Sequence, residues 1–116
     1  MTITRFSFPT TIHFGPGARR LVVEHLRELG LRRPLVVTDR GLAALPVLAE
    51  FMQLLATGLD ATVYSGVYGN PTAQQVKLGV AAYMTHRADC VIGFGGGAAL
   101  DIAKVVAAMA VHEGDV

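Results

Sequence analysis

The fold of this chain is indicated most clearly by the stretch Phe94-Gly95-Gly96-Gly97-Ala98-Ala99-Leu100-Asp101-Ile102-Ala103-Lys104. It follows an apolar, β-like segment at residues 89–93 and opens a helix-like segment that runs to about Val111. A strand, a glycine turn and a helix in that order place unpaired backbone N–H groups at the positive end of the helix dipole, where they favour an anion. The spacing is neither G-x-G-x-x-G nor that of a P-loop. The stretch therefore predicts a phosphate-binding turn between a strand and a helix.

The three consecutive glycines, Gly95, Gly96 and Gly97, have two interpretations. They can let a ligand approach the backbone with no Cβ in the way, or they can form a tight connection packed closely on a sheet with no ligand. Each glycine costs about 0.5–1 kcal/mol relative to alanine in backbone entropy. This cost favours the ligand role, with a pyrophosphate held by the backbone N–H groups.

The rest of the chain alternates between short apolar runs and segments with helical spacing. A helix is predicted before the first run, between successive runs and after the last run. Gly30 closes the first helix, the second helix spans residues 45–57, and Thr72 is the N-cap of the third helix. Strands that are apolar on both sides and alternate with helices indicate a parallel sheet with helices on both faces. We therefore predict an α/β, Rossmann-like fold. The predicted strands are residues 34–38, 61–64 and 89–94.

Two further predictions concern the first thirty residues. The apolar, β-branched runs at residues 2–8 and 11–14 are separated by Pro9-Thr10, which predicts an N-terminal antiparallel β-ribbon at the sheet edge. The first helix is predicted from residues that follow helical spacing. These residues are Leu21, Val22, His25, Leu26 and Leu29.

The last helix is apolar on nearly all sides, since only Asp101 and Lys104 are polar between Ala98 and Val111. A helix of this kind must be covered all round. Only five residues follow Val111, so we expect the chain to be the first part of a longer protein. The alternative is a complete small protein in which the helix is buried between protomers.

Composition excludes several functional classes. No segment reaches the roughly 18 uncharged apolar residues needed to span a bilayer, so no membrane association is expected. A formal net charge of +1 gives no electrostatic case for nucleic acid. The single cysteine, Cys90, lies in an apolar run and fits a reducing compartment, which predicts a cytoplasmic protein. The four histidines are far apart and lack ligand spacing, so no metal site is predicted in this chain.

Four stretches together resemble the iron-dependent (group III) alcohol dehydrogenases. Gly95-Gly96-Gly97-x-x-x-Asp101-x-Ala103-Lys104 resembles their nucleotide signature, with Ala98 where that family usually has serine. The change removes a hydroxyl and leaves the backbone donor of Ala98 available to a phosphate. The other three stretches are Phe8-Pro9-x-x-Ile12-x-Phe14-Gly15-x-Gly17-Ala18, Val36-Val37-Thr38-Asp39-x-Gly41-Leu42 and Gly69-Asn70-Pro71-Thr72.

The resemblance covers nearly all of the chain and implies that residues 1–116 are the N-terminal dinucleotide-binding domain of a two-domain enzyme. The second, helical domain would be absent here and would carry the ligands for Fe²⁺ or Zn²⁺. The whole enzyme would transfer hydride between a small-molecule alcohol and its aldehyde or ketone, with NAD as cofactor and NADP less favoured. The fragment would be inactive alone. The apolar composition and the edge ribbon favour a homodimer.

Asp39 follows the predicted first strand, where a carboxylate can accept hydrogen bonds from the adenosine ribose and repel a 2′-phosphate. The alternative is an N-cap or turn residue, and spacing alone does not decide between them. The resemblance favours the ribose role and hence NAD. It also implies a cofactor contact at Asn70, in a turn at the mouth of the nucleotide cleft.

Asp101 and Lys104 are three residues apart on one helix, which is compatible with an ion pair. The resemblance implies instead that both lie on the nicotinamide side of the cleft, for binding and positioning. Two other functions remain open on the same scaffold: glycerol or glycerol-phosphate dehydrogenases, and 3-dehydroquinate synthase. The Ala103-Lys104 ending favours the alcohol dehydrogenase branch. A non-catalytic nucleotide-binding module is the third interpretation.

Overall fold

Strands and helices alternate along residues 16–69, 72–95 and 97–114, which the computed structural model describes. The predicted N-terminal ribbon lies outside these residues. Each predicted strand and helix from the first helix onward is present, with β1 and β2 extending beyond the predicted ends. The elements are α1 (Pro16–Glu28), β1 (Pro34–Asp39), α2 (Arg40–Ala43), α3 (Pro46–Leu55), β2 (Thr62–Val67), α4 (Ala73–His86), β3 (Cys90–Phe94) and α5 (Gly97–Gly114).

The three strands form one parallel sheet in the order β2-β1-β3. Central β1 aligns Leu35 with Thr62 of β2 and with Val91 of β3. Because all three strands run the same way, their carboxyl ends meet at one edge of the sheet. The sequence-based prediction of a parallel α/β sheet is confirmed.

Helices cover both faces of the sheet, as predicted. Successive side chains of a strand point to opposite faces, so Val36 packs in one apolar cluster while Leu35 and Val37 pack in the other. The first cluster also holds residues of α1 and α3, with the rings of Phe51 and Phe94 stacked at a centroid separation of 4.6 Å. The second cluster joins the sheet to α4 and α5.

The helix that the spacing of residues 21–29 predicts is present as α1, and the core covers only part of that apolar set. Val22, Val23 and Leu26 are buried, whereas Leu21 is 63% exposed and Leu29 is also exposed. The helix is rotated so that its contact line with the core and α3 runs along residues 22, 23 and 26. Helical spacing showed that one side was apolar but could not place the centre of the contact.

The predicted helix ends are confirmed at two positions. Gly30 adopts φ +80° and closes α1 with two hydrogen bonds, from its own N–H to the Arg27 carbonyl and from Leu31 N–H to the Leu26 carbonyl. Thr72 is the N-cap of α4, and its Oγ1 accepts from Gln75 N–H at 3.2 Å.

Arg33 joins several elements at the amino edge of the sheet, opposite the carboxyl ends of the strands. Its guanidinium pairs with the Asp60 carboxylate and donates to the His86 carbonyl through Nη2 at 2.6 Å. The Asp89 carboxylate accepts from Arg32 N–H at 2.8 Å and from Arg33 N–H at 3.0 Å. These contacts hold the start of β1 against the segments that precede β2 and β3.

One side of α5 is exposed within this chain. Ile102, Ala103 and Val106 are buried against the sheet and α4, while Val105 and Met109 are exposed together with Asp101 and Lys104. The expected coverage of this helix on all sides is therefore not supplied by the residues the structure describes. Among those same residues, none of the helices is both long and apolar enough to cross a membrane.

Candidate nucleotide-binding cleft

An open cleft of about 400 Å³ lies at the carboxyl edge of the sheet. This volume falls within the roughly 300–1,000 Å³ that is usual for small-molecule sites. Residues at or just after the carboxyl ends of the three strands line it: Asp39, Arg40, Gly41, Val67, Tyr68, Gly69, Gly97, Ala98 and Ala99.

The order of the strands explains why a cleft forms here. The chain leaves β1 toward α3 on one face of the sheet and leaves β3 toward α5 on the other face. Since β1 and β3 are neighbours, the two connections diverge above their carboxyl ends. Ligands of open α/β sheets bind at such a switch point.

The glycine turn after β3 needs its glycines for two different reasons. Gly95 adopts φ +139°, and a Cβ there would lie 3.0 Å from Asp39 Oδ2 and 3.3 Å from Leu42 Cδ2. Gly95 is therefore required by backbone conformation and close packing. A Cβ on Gly97 would have no atom within 4 Å, so this position opens into the cleft. Gly96 lies outside the described residues.

Asp39 is an N-cap, one of the two roles that the sequence left open, and it also lines the cleft. Its Oδ1 accepts from Leu42 N–H at 2.6 Å, which makes Asp39 the N-cap of the short helix α2. Its Oδ2 is directed toward Gly95, on the side of β3. The cap is a structural role, and the same carboxylate lines the cleft.

Arg40 and Tyr68 are cleft residues that the sequence reasoning missed. The Arg40 Cζ lies 4.0 Å from the centroid of the Tyr68 ring, within cation–π distance, and Tyr68 is 53% exposed. Arg40 directly follows β1 and Tyr68 directly follows β2. The available indication was their position, because residues after the carboxyl ends of parallel strands converge on one edge.

Buried Gln75 fixes the backbone of Tyr68 from behind the cleft. It is 4% exposed, and its Nε2 donates to the Tyr68 carbonyl at 2.9 Å. The Gln75 carbonyl accepts from the Tyr64 hydroxyl at 2.8 Å. Burial, with a smaller contribution from Tyr68, raises the pKa of the Tyr64 phenol above its ordinary value. The Tyr68 ring, over which the Arg40 guanidinium lies, is thus attached to a backbone that Gln75 holds in place.

The remaining predicted site residues are distributed unevenly. Ala98 lines the cleft at the start of α5 and Gly69 lines it after β2, whereas Asn70 lies outside the described residues. Asp101 and Lys104 are exposed in the second turn of α5 and beyond, and neither lines the cleft. Asp101 and Lys104 do not pair with each other, because the one ion pair among the described residues joins Arg33 and Asp60.

The described part of the chain holds no group of three or more histidine, cysteine, aspartate or glutamate side chains close enough to bind a metal ion. The residues that line the cleft are suited to a phosphorylated organic ligand: backbone N–H groups at the start of a long helix, a carboxylate and an arginine.

Comparison with known proteins gives one consistent result. A family model described as iron-containing alcohol dehydrogenase matches residues 9–116. The chain is 36% identical over 106 residues to 4-hydroxybutyrate dehydrogenase from Cupriavidus necator, covering 91% of this chain and 28% of that protein. It is 36% identical to long-chain-alcohol dehydrogenase 1 from Geobacillus thermodenitrificans, covering 100% of this chain and 30% of that protein.

A solved structure supports the same assignment at the level of the fold. NADH-dependent butanol dehydrogenase A from Thermotoga maritima matches with a TM-score of 0.77 and 33% identity, over 92% of this chain and 27% of that one. The chain thus spans less than a third of the length of these relatives. The family model extends over nearly all of the chain, and the fold agrees with it. This chain belongs to the iron-containing alcohol dehydrogenase family.

Proposed function

We propose that this chain is the dinucleotide-binding domain, residues 1–116, of a NAD-dependent alcohol dehydrogenase. The observation that carries the proposal is the cleft at the switch point of the sheet, with a glycine turn opening α5 beside the Asp39 carboxylate. The name of the Thermotoga relative, an NADH-dependent butanol dehydrogenase, supports the choice of cofactor. No relative reported above is named as a glycerol dehydrogenase or a dehydroquinate synthase, so those alternatives are not favoured.

The pyrophosphate of NAD would be held at the start of α5. The first N–H groups of an α-helix have no partner within the helix, and the 18 residues of α5 give it a full dipole. The open space at Gly97 lets a phosphate approach these donors without meeting a side chain. Gly95, Gly96 and Ala98 would contribute the other backbone contacts of the turn.

The adenosine ribose would be held by Asp39. Its Oδ1 already accepts one hydrogen bond from Leu42 N–H, which fixes the carboxylate and leaves further lone pairs for ribose hydroxyls. A carboxylate in this position also disfavours a second phosphate on the ribose. This is the reason for proposing NAD ahead of NADP.

The reaction we propose is the reversible oxidation of a small-molecule alcohol to an aldehyde or ketone, for which bound NAD supplies the hydride acceptor. For this chain we propose binding and orientation of the cofactor, and we assign no catalytic residue to it. Fe²⁺ or Zn²⁺ would be bound by residues outside this chain. Asp101 and Lys104 remain proposed contacts toward the nicotinamide end of the cofactor, and Asn70 remains a proposed cofactor contact at the mouth of the cleft.

The setting we propose is a cytoplasmic homodimer. Cys90 is the only cysteine in the sequence and is buried, which supports a reducing compartment. The exposed apolar side chains of α5, Val105 and Met109, are compatible with coverage by further protein.

A calorimetric titration of the protein with NAD⁺ tests the pyrophosphate site. A Cβ at residue 97 would have no atom within 4 Å, so Gly97→Val places its side chain in the open part of the turn. We expect a folded protein with at least about tenfold weaker NAD⁺ binding, the usual effect of losing a hydrogen bond to a charged group. Ala108→Val is the matched control, because residue 108 is exposed on the same helix away from the cleft. Equal affinity in the Gly97 variant would exclude the turn as the phosphate site, and absence of saturable binding by the unmodified protein would exclude a dinucleotide site.

Asp39→Asn separates the two roles of Asp39. Asparagine is as good an N-cap as aspartate, so α2 keeps its hydrogen bond to Leu42 while the negative charge is removed. We expect affinity for NADP⁺ to rise relative to NAD⁺ by about tenfold, the effect of one screened charge at close range. An unchanged ratio of the two affinities would show that Asp39 is only a cap.

A further inference from the structure

The guanidinium of Arg40 is held at the cleft but is not neutralised there. It lies 4.0 Å from the centroid of the Tyr68 ring, which restricts it without using its N–H donors. Among the described residues it takes part in no ion pair and no recorded side-chain hydrogen bond. A cation that is positioned while its donors stay available is suited to bind an anion.

Arg40 and Asp39 diverge from the end of β1 in opposite directions. The Asp39 Oδ2 is directed toward Gly95, which follows β3. The Arg40 guanidinium lies over Tyr68, which follows β2. Because β1 is the central strand of the order β2-β1-β3, the negative and the positive group face opposite parts of the same cleft. Asp39 therefore does not cancel the charge of Arg40.

The order of the strands also orders the parts of a bound dinucleotide, if the proposed function holds. The pyrophosphate lies at the turn after β3 and the adenosine ribose at Asp39 after β1. Continuing in the same direction, the next protein groups are Arg40 and Tyr68 beside the end of β2. A 2′-phosphate on that ribose would extend from Asp39 into this part of the cleft.

We infer that Arg40 is a second specificity residue, which binds the 2′-phosphate of NADP and opposes the preference for NAD that Asp39 imposes. The cleft then accepts both dinucleotides, with a smaller preference for NAD than the Asp39 carboxylate alone would produce. Arginine suits this position because its planar set of donors can engage a phosphate through two hydrogen bonds at once. Tyr68 positions the guanidinium, and Gln75 holds the backbone of Tyr68 at 2.9 Å.

The test is the ratio of the dissociation constants for NADP⁺ and NAD⁺, measured by calorimetry on the full-length protein. Arg40→Ala removes a charged hydrogen-bond donor set, so the ratio should rise by about tenfold. Arg40→Lys should raise the ratio by less, because lysine keeps the charge but lacks the planar donor set. Arg32→Ala is the matched control: it removes an exposed arginine near the opposite end of β1 and should leave the ratio unchanged.

The outcomes separate this inference from the function on which it rests. A ratio in Arg40→Ala equal to that of the unmodified protein, with NAD⁺ binding retained, would overturn the role of Arg40 and leave the proposed function standing. A rise of the same size in Arg32→Ala would show a general charge effect and would also overturn it. If the unmodified protein bound neither dinucleotide, the proposed function and this inference would both be wrong.

Discussion

Replacing Gly79 by alanine tests how α4 packs against α5. Gly79 is buried on α4, and a Cβ there would lie 2.7 Å from Val106 Cγ2 on α5 and 3.3 Å from the ring of Tyr64. Carbon atoms in good contact are about 3.5–4.0 Å apart, so Val106 would have to move by about 1 Å. The new methyl group therefore meets a side chain and not a void.

Val106 has little freedom to make that movement. It is fully buried, and a β-branched side chain in a helix has one strongly preferred rotamer. Overpacking of this kind costs about 1–3 kcal/mol, and the better helix propensity of alanine offsets about 1 kcal/mol. With a contact as short as this one, we expect Gly79→Ala to lower the free energy of unfolding by about 1–2 kcal/mol.

Urea unfolding followed by far-UV circular dichroism measures the effect, and a second substitution makes the test specific. Val106→Ala alone should cost about 2 kcal/mol from lost apolar burial. In the double variant the methyl of residue 79 occupies the vacated space, so the total loss should be smaller than the sum by at least about 1 kcal/mol. Gly97→Ala is the control, since nothing lies within 4 Å of its added Cβ. A Gly79→Ala protein as stable as the unmodified one, or a strictly additive double variant, would refute the packing argument.

Three further predictions concern stability. Thr38→Val should raise the free energy of unfolding by about 1 kcal/mol in urea, because Thr38 Oγ1 is buried with no hydrogen-bond partner among the described residues; no gain would mean that the hydroxyl is satisfied. Arg33→Ala should lower it by about 1–2 kcal/mol through lost carbonyl contacts, whereas Asp60→Asn should lower it by less than about 0.5 kcal/mol, because the ion pair is exposed; equal losses would contradict this division. The raised pKa of Tyr64 means that the folded state holds the phenolic proton more tightly than the unfolded state does. The resulting contribution to the free energy of unfolding is fully present below pH 10.0 and is lost as the pH rises through the raised pKa of the folded state. The free energy of unfolding should decline across that pH range, and Tyr64→Phe should make the decline smaller. An identical decline in the variant would exclude Tyr64 as the cause.

Local rules predicted most of the elements because the relevant information lies within a few residues. Gly30 and Thr72 end and begin helices through hydrogen bonds to residues no more than a turn away. The strand that ends at Phe94 is apolar on both sides because both faces of the sheet are covered. The buried face of α1 was less predictable, since Leu21 and Val22 are equally apolar and only the position of the rest of the core decides which is covered.

The candidate site also combines features that the sequence predicted with features that only the structure shows. Gly95 and Gly97 stood out in the sequence, but only the structure shows that one is required by φ +139° and close packing while the other opens into the cleft. The capping hydrogen bond of Asp39 needed the actual position of Leu42 N–H. Asp101 and Lys104, which the resemblance brought into the cofactor site, do not line the cleft formed by this chain.

Residue type and short-range spacing are enough to indicate the alternation of strands and helices, the glycine turn that opens α5 and the dehydrogenase family. Tertiary structure decided which residues meet at the carboxyl edge of the sheet. Arg40 and Tyr68 are far apart in the chain and become neighbours only because β1 and β2 pair in parallel and end at the same edge. Strand pairing is a long-range choice, set by how both apolar faces of the sheet are buried at once, and no local pattern around either residue encodes it.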